Sequence, residues 1–213
     1  MSRHPAPDEL LLDYATGALP EGPALAVALH VALDPVARRT VGRLRALGGE
    51  LLEAEAAEMG EGGLDAVLAR LDATEPRRLA PVPRPGFDWA PAVLAPYLAG
   101  KTWQRAFGGF EEIGVDLHGD GHRVALLRLA PGKGLPRHRH VANEFTVVLQ
   151  GGYTDNTGNY AVGDFAVGPG AQEHEPIADP GEPCIALIVV EKPIVLTGRW
   201  GRLLNPLLRW GWM

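Results

Sequence analysis

A single cysteine in 213 residues excludes an internal disulfide, so the chain must be held by packing, hydrogen bonds or a metal bound through other residue types. No apolar run approaches the length needed to span a membrane. Positive charge is scarce as well: 20 Lys and Arg stand against 26 Asp and Glu, the net charge is −6, and no basic stripe offers a surface for nucleic acid. The first residues, MSRHPAPDELLLDYATG, carry acidic groups where a secretory signal needs a basic stretch followed by an apolar one, so a cytoplasmic protein is expected. What the chain does have is 46% hydrophobic residues, enough for two modest domains.

Composition divides the chain. Residues 8–73 are rich in Ala, Leu and Glu, which favour helix, whereas residues 101–196 are rich in Gly, Val and short alternating runs. Between them EPRRLAPVPRPGFDWAP places prolines at 76, 81, 83, 85 and 91, a stretch that reads as an extended linker. The spacing predicts domains at 1–75 and 91–197, joined by a linker at 76–90 and followed by a tail at 198–213. Helices are predicted over 8–18, 22–33, 35–57 with a break at Gly48-Gly49, and 63–73. Asp8 is placed to cap the first, and Asp34-Pro35 reads as an N-cap followed by proline at the first helical position. Such short helices bury little surface alone; they either close on their own core or complete their burial on a partner.

Chemistry concentrates in the second part. Gly132, His138, His140, Glu144 and Gly151 fall at the spacing G-x5-H-x-H-x3-E-x6-G, and His174 follows behind Gly163 and Pro169. Positions 138, 140 and 144 share one parity, so on an extended chain they face the same side, and His174 can join them from another strand. This pattern resembles that of the cupins, with Ala171 and Ala178 where Gly and Asn are usual. Together with the helical first part, the resemblance implies an α+β chain, in which a small N-terminal helical bundle precedes a C-terminal cupin barrel (a double-stranded β-helix, or jelly roll). Three neutral imidazoles and one carboxylate leave a divalent ion with a net charge of about +1 and one or two open positions. Zinc is the first choice, and manganese, iron or nickel also suit the ligands.

Other residues have plainer readings. His118 and His122 flank Gly119-Asp120-Gly121, as strand ends beside a hairpin turn do. Cys184 opens the apolar run CIALIVVE and reads as a buried core residue. Glu173 and Glu175 should alternate away from His174. The tail TGRWGRLLNPLLRWGWM, with Trp200, Trp210 and Trp212, suits packing on the barrel or at a dimer interface.

The whole chain resembles the ChrR-type anti-sigma factors, through HPAPDELLLDYATGALPEGPALAVALHVALDPVARR, LAPYLAGKTWQ and the His-Glu signature. The resemblance implies that the helices bind a group IV (extracytoplasmic-function) sigma factor and block its access to RNA polymerase. It also implies that the cupin senses singlet oxygen or organic hydroperoxide. The family's helical domain binds zinc through an early His and His-x3-Cys-x2-Cys; here His4 and His30 match, while Asp34 and Ala37 stand at the cysteine positions. Ala37 cannot ligate, so zinc is not expected there. The rival reading is a metal-dependent cupin dioxygenase or oxidoreductase using the same four residues. Pairing of barrels into a homodimer through sheet edges is open to either.

Overall fold

The computed structural model describes residues 2–54, 60–73, 86–87, 89–106, 109–117, 121–168, 173–192 and 195–197. Most of the expected linker (76–85 and 88), the end of the third expected helix (55–57), residues 118–120 of the expected hairpin, the stretch 169–172 and the tail at 198–213 lie outside these residues.

Helix α1 spans Asp8–Thr16 and ends at Gly17, whose φ of 77° lets the chain reverse so that the Ala18 N–H donates to the Asp13 carbonyl. The expected Asp8 cap is corrected: Pro7 holds the N-cap position without a side-chain bond, and Asp8 and Glu9 instead put negative charge in the first turn. Helix α2 (Glu21–Leu33) is apolar nearly all round, with Leu25, Ala26, Val27, Leu29 and His30 buried, because it is covered on both sides. One side meets α1 and α3; the other lies on the β-sheet. Asp34 caps α3 (Pro35–Ala54), its Oδ1 accepting the Val36 N–H at 2.9 Å. The helix runs unbroken through Gly48-Gly49, contrary to the expected break, since neither glycine adopts a positive φ. Helix α4 spans Gly63–Asp72 and buries no residue.

A 3-10 turn (Ala92–Leu94) and α5 (Ala95–Leu98) follow, and the Tyr97 hydroxyl donates to Glu21 Oε1 at 2.9 Å, fastening α5 to the start of α2. Among the described residues, twelve strands follow. They are β1 (Gln104–Arg105), β2 (Glu111–Val115), β3 (Arg123–Leu129), β4 (His138–Arg139), β5 (Glu144–Gln150), β6 (Gly152–Thr154), β7 (Asn159–Ala161), β8 (Phe165–Gly168), β9 (Glu173–His174), β10 (Ile177–Ala178), β11 (Cys184–Val190) and β12 (Val195–Leu196). They form a six-stranded antiparallel sheet, β1-β2-β3-β11-β5-β8, and two three-stranded sheets, β10-β6-β7 and β12-β4-β9.

Strand alternation gives the central sheet two buried faces. Val124, Leu126, Phe145, Val147, Leu149, Ile185, Leu187 and Val189 join α1, α2, α3 and α5 in one apolar cluster. Leu129, Val148 and Cys184 turn the other way, into a second cluster with Phe110, Tyr153, Tyr160 and Ala178. The helices therefore do not close on a core of their own; they share one with the outer face of the sheet. Glu144 and Thr146, of the same parity as Val148, are aimed inside.

Candidate metal centre

The four residues singled out by spacing come together. His138 on β4 lies directly opposite His174 on β9 in the antiparallel register, and Glu144 begins β5 beside them. The chain is not one extended strand from 138 to 144: it leaves β4 and bends at Val141 and Ala142, yet His140 is turned to the same side. His174 Nε2 is 2.9 Å from both His138 Nε2 and His140 Nε2, and Glu144 Oε2 is 2.5 Å from His140 Nε2. One ligand atom from each residue lies within 4.8 Å of all the others, and His138, His140 and Glu144 are buried.

Hydrogen bonding on the far side of the rings shows what this cluster suits. His138 Nδ1–H donates to the Pro136 carbonyl at 2.8 Å and His174 Nδ1–H to Asp155 Oδ2 at 3.0 Å, so both rings turn a bare Nε2 lone pair inward. His140 Nδ1 is buried with no partner among the described residues. The His138 and His174 lone pairs, 2.9 Å apart, repel unless a cation sits between them, and three imidazole nitrogens with one carboxylate are a donor set for a divalent metal. Burial pushes the His138 ring down to about 4, reinforced by neighbouring His174. Burial also raises the Glu144 carboxyl, but hydrogen bonds from His140 and Thr146 outweigh it and hold Glu144 below its ordinary value.

Two polar residues escaped the spacing pattern. Thr146 Oγ1 donates to Glu144 Oε1 at 2.7 Å, and Asp155 holds His174. Thr146 was legible in principle, being two residues beyond Glu144 on one strand; nothing in the sequence tied Asp155 to His174. A cavity of about 330 Å³ opens onto the cluster, lined by His140, Glu144, Tyr153, Asp155, Tyr160 and His174 among others. Cys184 is buried among apolar neighbours, and that burial raises its thiol to about 12, as suits a packing residue. Glu173 is exposed and faces Arg137 at 3.4 Å, and Glu175 is exposed too. His122 lies 3.9 Å from Glu191, while His118 is outside the described residues.

His4, His30, Asp34 and Ala37 do not form a second centre. His30 Nδ1–H donates to the Gly163 carbonyl at 2.8 Å, and its Nε2 accepts the Ala6 N–H at 3.2 Å, so both ring nitrogens are used. Asp34 Oδ2 accepts the Ser2 hydroxyl at 2.7 Å.

A helical layer on a barrel with this centre has a close counterpart. The anti-sigma-E factor ChrR of Cereibacter sphaeroides is 35% identical over 97% of this chain and 98% of its own length. The chain belongs to the ChrR family of anti-sigma factors. Its ChrR cupin-like domain matches over residues 101–193. Within the family, the crystal structure of Rhodobacter sphaeroides SigE in complex with the anti-sigma ChrR superposes with a TM-score of 0.75, at 34% identity, covering 88% of this chain and 98% of that one. Among the described residues, no helix is long and apolar enough to cross a membrane.

Proposed function

We propose that this protein is a cytoplasmic anti-sigma factor whose helical domain, residues 1–75, binds and inhibits a group IV sigma factor. In this division residues 76–90 are the linker, 91–197 the cupin domain and 198–213 the tail. The observation that carries the reading is an unpaired apolar surface on α3 and α4. Leu47 and Leu51, four residues apart, share one face of α3, and Leu64, Leu68 and Leu71 share one face of α4; all are exposed, as is Leu52, at 76%. A ten-residue helix with no buried residue is marginal by itself, so α4 gains most from a partner that covers it. The family relative crystallised in complex with SigE supports a sigma factor as that partner.

The cupin is the sensing part in this reading, responding to oxidative stress. His138, His140, Glu144 and His174 hold the metal, which we assign as zinc. A divalent ion there supplies an electrophilic centre able to take an oxygen ligand at an open position. The protein's own residues do the rest: Thr146 orients Glu144, Asp155 orients His174, and the cavity admits a small ligand.

The test is co-purification of the full-length chain with the group IV sigma factors of the same genome. A one-to-one complex is expected with at least one. Leu47→Asp combined with Leu51→Asp should weaken it by about 100-fold or more while leaving the thermal midpoint nearly unchanged, because both residues are exposed. No complex with any sigma factor would sink the reading.

A further inference from the structure

The hairpin of β6 and β7 faces two ways. At its turn, Asp155 accepts from His174 through Oδ2, and through Oδ1 from the Thr157 N–H at 2.7 Å, the Gly158 N–H at 3.2 Å and the Thr157 hydroxyl at 2.6 Å. With its proton given to Asp155, the Thr157 oxygen accepts the Tyr160 hydroxyl at 2.9 Å. The Tyr160 ring stacks on Tyr153 at 4.8 Å and, on its other neighbour, meets the His4 imidazole at 4.4 Å.

His4 belongs to the segment that ties the helices to the barrel. Its ring Nε2–H donates to the Asn159 carbonyl at 3.2 Å, its backbone N–H to Asp164 Oδ1 at 3.0 Å, and its carbonyl accepts the Phe165 N–H at 2.8 Å. Arg3 N–H reaches the same Asp164 oxygen at 2.6 Å. On either side of His4, the Ser2 hydroxyl donates to Asp34, the cap of α3, and the Ala6 N–H donates to His30 on α2. Residues 2–6 are thus pinned at both ends to the helices and at the middle to the hairpin whose turn holds His174.

We propose that Asp155 is a positioning residue that couples the metal centre to the helical domain, through Thr157, Tyr160 and His4. The proposal rests on the metal assignment made above. A metal-ligating histidine is oriented by the carboxylate behind it, so His174, Asp155 and the hairpin turn share one arrangement when the ion is held. Without the ion His174 is fixed from one side only, the turn relaxes, and the ring contact with His4 loosens. Coupling of this kind is reciprocal: freeing the segment must weaken metal binding by the same factor that metal binding tightens the segment.

The experiment uses full-length protein, with zinc content measured by elemental analysis and backbone hydrogen exchange followed by mass spectrometry. Stripping zinc should speed exchange in residues 2–7 by about 5-fold or more. In Thr157→Val, loaded to saturation and then stripped, that difference should vanish, and Thr157→Ser should restore it. Asp155→Asn should lower zinc affinity by about 10- to 100-fold. His4→Ala, which touches no ligand, should lower it by the factor seen in the exchange. Stoichiometric zinc with unchanged exchange in residues 2–7, or His4→Ala with undiminished zinc affinity, overturns the coupling and leaves the metal centre standing. A protein that binds no zinc overturns both.

Discussion

Burial of His138 ties the stability of the fold to pH. Its ring, pushed down to about 4 by burial first and His174 second, stays neutral in the folded metal-free protein at pH values where the unfolded chain takes up a proton. His30 is lowered in the same direction by burial, with the Gly163 carbonyl opposing. The unfolded state binds more protons below about pH 6.5, so stability falls as the pH is lowered from there. Chelator-treated protein should lose about 2 kcal/mol between about pH 7 and about pH 5 from His138 alone. Urea midpoints at the two pH values measure this, and His138→Asn should show a shallower dependence. Asp34 behaves differently: the Ser2 and Val36 bonds outweigh its burial and hold it low, so its contribution is lost only below about pH 4. Asp34→Ala should cost about 1–2 kcal/mol near neutrality through the lost cap and the orphaned Ser2 hydroxyl. Replacing Glu144 with Gln should leave the fold intact and reduce bound zinc to well below one equivalent, read by elemental analysis. The four clustered side chains were legible because their spacing is a local property of the chain, although the bend at Val141 and Ala142 shows that strand parity alone did not place them. Asp155 was not, since its turn is evident in Asp155-Asn156-Thr157-Gly158 but the direction of its second oxygen depends on where β9 passes.

Elements with one partner were easier to read than elements with two. Helix α3, solvated along most of its length, showed its apolar spacing in the sequence and its cap at Asp34-Pro35. The expected break at Gly48-Gly49 did not occur, because glycine lowers helix propensity without forbidding the helical conformation. Nothing lies within 4 Å of a methyl group added at either position. Gly48→Ala with Gly49→Ala should therefore raise stability by about 1–2 kcal/mol, seen as a higher thermal midpoint. Strands β5 and β11 read as near-continuous apolar runs because both faces are buried, one by the helices and one by the barrel interior. Strands β4 and β9, two residues each, are too short to leave a period at all. They exist because they pair with each other, a long-range fact.

At the scale of the molecule, the change in composition marked where helices give way to strands, but no pattern announced that α2 would lie on the sheet. An apolar stripe says that something covers it, never what. Because the helices and the outer sheet face share one cluster, the chain should unfold in a single calorimetric transition, and chelation should shift that transition to lower temperature as a whole. Two resolved transitions would contradict the shared core. The bonds among Ser2, Ala6, His30, Asp34 and Gly163 have a further meaning for the living cell. Among the described residues these bonds tie the helical layer together without a sulfur atom, and the one cysteine in the sequence is buried inside the barrel. Reagents that oxidise or alkylate thiols thus find no target in that layer, and the one thiol they could reach lies on β11 at the other side of the sheet.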